Sequence, residues 1–80
     1  RILDEFRQPG RPAAVPSLTD REIQVLELVS RRMSNKEIAA ALIISEHTVK
    51  FHVGTILGKL GAASRTEAVT LAVRGGILPL

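Results

Sequence analysis

The 80-residue chain contains no cysteine, no tryptophan and no tyrosine. Without cysteine there is no disulfide and no thiolate metal site. Two phenylalanines are the whole aromatic content. Proteins that hold single-stranded nucleic acid stack bases on aromatic rings, so such a ligand is poorly served here. Long apolar runs are also missing. No stretch approaches the roughly 18 residues of a membrane span, and the charged, proline-broken start does not read as a signal peptide. No serine–histidine–aspartate arrangement or glycine-rich phosphate loop is visible, so the chain offers little for catalysis and implies no cofactor. The histidines, His47 and His52, are spaced at neither i,i+3 nor i,i+4, and a metal shared on one helical face is not expected.

What is present is a small, basic, apolar-rich unit. Hydrophobic residues make up 45%, the formal net charge is +3 and the pI is about 10.2. A core is feasible but modest at this size. The charge favours a polyanion without identifying one. Gln8 to Ser17, QPGRPAAVPS, carries three of the four prolines and has the composition of an extended linker. The folded unit is therefore expected to begin near residue 18.

From there helix signals recur. Thr19 with Glu22, Ser34 with Glu37, and Ser64 with Glu67 have capping-box spacing, and Ser45 offers a further N-cap. Apolar residues follow each start at steps of three and four: Val25, Leu26, Val29 and Met33; Ile38, Ala39 and Leu42; Val49, Val53, Ile56, Leu57 and Leu60; Ala68, Val69 and Ala72. Gly61 reads as a left-handed cap, and Gly75-Gly76 as a stop followed by an Ile77-Leu78 clasp. No strand and no solenoid-length repeat is evident. The expected fold is all-α, with helices over 19–32, 35–43, 46–60 and 65–74. Arg31 and Arg32 are expected in the last turn of the first helix, where positive charge complements the dipole.

Two short helices joined by a tight turn at 43–45 form a helix-turn-helix pattern. The outward face of the second carries His47, Lys50, Phe51, Gly54, Thr55 and Gly58. Mid-helix glycine costs about 1 kcal/mol relative to alanine, so two on one side call for a reason. One is close approach to a groove wall of duplex DNA, with Lys50 donating to a guanine edge and Phe51 against a thymine methyl. The other is room for a neighbouring helix, with Phe51 as core.

The run Leu18 to Leu78 resembles the LuxR-type helix-turn-helix domain of bacterial response regulators and quorum sensors. The matching residues are Leu18-Thr19-x-Arg21-Glu22, Asn35-Lys36-Glu37-Ile38-Ala39, Ser45-Glu46-His47-Thr48-Val49-Lys50, His52-Val53, Ile56-Leu57, Lys59-Leu60-Gly61 and Arg65-Thr66-Glu67-Ala68. Gly54, Gly58 and Ile43 depart from the pattern, Ile43 standing in a turn where glycine is common. The resemblance implies a cytoplasmic transcription regulator with duplex DNA as partner and RNA polymerase as a further candidate. In the response regulators of that family a sequence like Arg1 to Phe6 ends the receiver domain; the equal alternative is a short tail that docks on this domain. Residues 1–17 are accordingly read as an interdomain linker and the tail of a missing N-terminal receiver-like domain, and 18–80 as the DNA-binding domain.

The site expected from these residues has three parts. Lys50, Phe51 and Gly54 are assigned to base edges. Lys36, Ser45, His47, Thr48, Thr55 and Lys59 are assigned to phosphates, using the free amides and partial positive charge of a helix N-terminus. Thr70, Leu71, Val73 and Arg74 of the last helix are assigned to a homodimer contact, the family's use of that helix. Two rivals are kept: a sigma-factor region 4-like promoter-binding domain, and a protein-interaction module that has lost DNA.

Overall fold

The structure, a computed structural model, describes residues 17–79. The linker and tail expected over 1–17 therefore lie, apart from Ser17, outside the described residues. The described part is all-α: α1 Asp20–Ser30, α2 Asn35–Leu42, α3 Glu46–Leu60 and α4 Arg65–Arg74.

The starts of α1 and α2 are the boxes the sequence suggests. Thr19 and Ser34 each accept from the amide three residues on, and Glu22 and Glu37 reach back to the cap amides. Ser45 caps α3 and Ser64 caps α4 through their hydroxyl oxygens. The box at α4 is only half made, because Glu67 Oε1 accepts from the Ala63 amide at 2.6 Å rather than from Ser64.

The ends share one device. The amides of Met33, Ile44, Ala62 and Ile77 each donate to the carbonyl five residues back, at Leu28, Ala39, Leu57 and Ala72. The residue before each donor is left-handed: Arg32 (φ 64), Ile43 (φ 57), Gly61 (φ 67) and Gly76 (φ 77). This closure satisfies otherwise free carbonyls and turns the next apolar residue inward. Met33, Ile44, Ala62 and Ile77 all pack against the core.

The same closure corrects two expected boundaries. Helix α1 stops at Ser30 rather than 32, with Arg31 as its C-cap. Arg31 and Arg32 therefore lie past the last turn, because the left-handed step at Arg32 ends the ladder. Helix α2 stops at Leu42, one residue early, for the same reason at Ile43.

The core is formed by Val25, Leu26, Val29, Ile38, Ala39, Val49, Ile56, Ala68, Ala72 and Leu78. Each fully buried Val, Leu or Ile contributes about 1.5–3 kcal/mol. Leu78 joins through the expected C-terminal clasp. Helix α3 packs on α1, α2 and α4, and so lies at the centre of the bundle with one side left over.

Candidate nucleic-acid interface

That remaining side of α3 is built by what its other side must bury. Val49 and Ile56 are buried, and Val53, Leu57 and Leu60 pack half-buried against the core. Helical periodicity then turns His47, Lys50, Phe51, Gly54 and Gly58 outward, and all five are exposed. Phe51 is 67% exposed, so it is no part of the core. Its ring meets the half-buried His52 edge-on at 6.0 Å.

The glycines have no packing reason among the described residues. A Cβ built on Gly54 or Gly58 meets nothing within 4 Å. The reading in which they make room for a neighbouring helix of this domain therefore fails. What they leave is a bare strip of backbone beside Lys50 and Phe51.

At the head of α3, Ser45 Oγ accepts from the Thr48 amide at 3.0 Å and pairs with Thr48 Oγ1 at 2.9 Å. The cap is thus tied down, while the amides of Glu46 and His47 are free of helix bonds by their position in the first turn. Lys36 is exposed near the start of α2. Thr48 and Thr55 are half-buried, so Thr55 sits at the margin of the face rather than on it.

Lys59, assigned to phosphate from the sequence, makes contacts within the domain. Its ammonium donates to Glu22 Oε1 at 2.8 Å and to the Ser17 carbonyl at 3.3 Å. Glu22 is 5% exposed, and a carboxylate so buried is strongly destabilising once its partner leaves. The hydrogen bond from Lys59 holds the Glu22 carboxyl below the usual carboxylate range against the opposing effect of burial. Lys59 therefore ties α3 to α1. Sequence spacing points neither to this pair nor to the fork made by Arg65. Arg65 donates to the Met33 carbonyl and to Asn35 Oδ1, joining α4 to the start of α2. Partners this far apart in the chain leave no local signal.

In α4, Thr70 and Arg74 are exposed and Leu71 and Val73 half-buried. Val73 is half-buried and packs against the core. Thr70 Oγ1 donates to the Thr66 carbonyl. Among the described residues no helix is long and apolar enough to cross a membrane.

Comparison with known proteins finds relatives in sequence and in fold. Residues 16–72 match the family described as bacterial regulatory proteins, luxR family. The chain is 48% identical over 76 residues to the transcriptional regulatory protein YdfI of Bacillus subtilis (strain 168), covering 95% of this chain and 36% of that protein. It is 53% identical over 55 residues to a nitrate/nitrite response regulator protein homolog of Haemophilus influenzae, covering 69% of this chain and 26% of that protein. The chain thus spans roughly a quarter to a third of these relatives. Among solved structures, that of the transcription factor GerE superposes with a TM-score of 0.73 at 39% identity, covering 76% of this chain and 91% of that one. The response regulator ChrA, of a heme-sensing two-component system, superposes with a TM-score of 0.76 at 36% identity, covering 92% and 36%.

Proposed function

The chain belongs to the luxR family of bacterial regulatory proteins, and on that premise we propose that it is the DNA-binding output domain of a transcription regulator of the response-regulator type. The observation that carries this reading is the division of α3. Its Val49–Ile56 side is buried, while Lys50, Phe51 and the backbone at Gly54 stay uncovered. A helix so divided fits the roughly 12 Å width of a B-form major groove.

Lys50 and Phe51 then read base edges, and Gly54 lets the helix approach them. Lys36, His47 and the Ser45–Thr48 cap, with Thr55 at the margin, meet phosphates. These contacts set orientation and affinity but carry no sequence choice. Lys59 is left out of that set because Glu22 engages it. In the full-length regulator residues 1–17 link this domain to a receiver-like domain, and two copies pair through the exposed part of α4. The protein works in the cytoplasm, without catalysis of its own in this domain. RNA polymerase is the further partner such a regulator needs.

The match over residues 16–72 favours this reading over a sigma-factor region 4 domain. Selection of the 80-residue protein against random duplexes tests it. A recovered motif, repeated in direct or inverted order, is the expected result. Absence of any enriched duplex at low salt would leave the protein-interaction reading in its place.

A further inference from the structure

Ile43 is unfavourable twice over in the free domain. The turn between α2 and α3 requires a left-handed residue, and Ile43 supplies it at φ 57, ψ 52. Glycine enters that region freely, asparagine is enriched there, and a β-branched side chain is an outlier. Gly61 and Gly76 fill two of the other three such positions, so the closure itself does not ask for isoleucine. Nor does the core: Ile43 is 89% exposed, and its neighbour Ile44 is the residue that packs inward. Backbone strain and apolar exposure thus both oppose isoleucine here, and its exposure leaves little contact among the described residues to offset them.

Ile43 stands two residues before Ser45, the N-cap of α3. It therefore borders the end of α3 that carries His47, Thr48 and Lys50. Resting on the proposed DNA-binding function, we propose that Ile43 is a further DNA-contacting residue, its side chain seated on an apolar edge of the duplex beside the α3 N-terminus. Duplex DNA offers such C–H surface at the thymine methyl and on the deoxyribose face. The strain is kept because the branched side chain adds affinity only in the complex, as strained backbone does at other functional sites.

The experiment uses the 80-residue protein, its selected duplex and three variants: Ile43→Asn, Ile43→Gly and Ile43→Val. Asparagine and glycine relieve the backbone. They are expected to raise the thermal midpoint by roughly 5 °C and yet weaken binding roughly tenfold. The slope of log K against log salt should stay unchanged, because no phosphate contact is lost. Valine keeps the branch and loses one methylene, so it should bind within about fourfold of the parent. Asparagine and glycine variants that bind as tightly as the parent, or a changed salt slope, would overturn the contact. Replacing thymine by uracil in the duplex separates the two sources of apolar surface. A loss seen with the parent protein but not with Ile43→Asn points to the methyl, and equal losses with both point to the sugar. A parent protein that selects no duplex fails earlier, and removes the wider reading along with this one.

Discussion

Glycine at 54 and 58 stands in the interior of α3 with open space beside it, so each is a local loss that the free domain does not need. Gly58→Ala is expected to stabilise the domain by about 1 kcal/mol, measured by urea unfolding. Lys50 is the complementary case, a long cation with no ion-pair partner among the described residues. Lys50→Ala should weaken the selected duplex by about 1–3 kcal/mol and relax preference at one base position, read by repeating the selection with the variant. A uniform loss across all sequences would instead move Lys50 to the phosphate set.

Among the elements, α1 and α3 are joined by a pair of charges as well as by packing. Glu22 Oε1 accepts from both the Thr19 amide and Lys59, so one oxygen closes a helix cap and fastens the reading helix. Lys59→Met leaves that carboxylate buried and unpaired. The Lys59 side chain is 32% exposed, so the cost should be about 2 kcal/mol, below that of breaking a fully buried pair. Adding Glu22→Gln should recover much of this, which a double-mutant cycle would measure. Because the folded value of Glu22 is lowered, its contribution is fully present above the ordinary glutamate range. It is lost as pH falls through the folded value. Acid unfolding monitored by circular dichroism should therefore be steeper in the parent than in Glu22→Gln.

At the level of the whole molecule, α3 is central and α4 lies at its flank, leaving Thr70 and Arg74 exposed and Leu71 half-buried. One helix-turn-helix unit reads only a few base pairs, and useful selectivity comes from two units on two half-sites. Leu71→Glu should leave binding to a single half-site unchanged and weaken binding to the full repeat by about tenfold or more. Gel shifts on both duplexes would show this, and a variant that keeps the parent's affinity for both would exclude α4 as the pairing surface. Val73 is the wrong choice for that test, since it also packs against the core.

Local chemistry alone determined where the helices begin, because at each start a serine or threonine hydroxyl accepts from the amide three residues on. Periodicity determined which side of each helix is buried, and so placed Lys50, Phe51 and Gly54 on the uncovered side of α3. The same local rules missed the ends of α1 and α2, since a left-handed Arg32 or Ile43 lacks the mark that a glycine would leave. Charge partners were decided only by tertiary structure. Lys59 is as basic in the sequence as Lys50. Packing α1 against α3 brings Lys59 to a buried carboxylate 37 residues away and leaves Lys50 in solvent. Helix packing makes the first pairing, and nothing in the order of residues states which lysine the fold will engage.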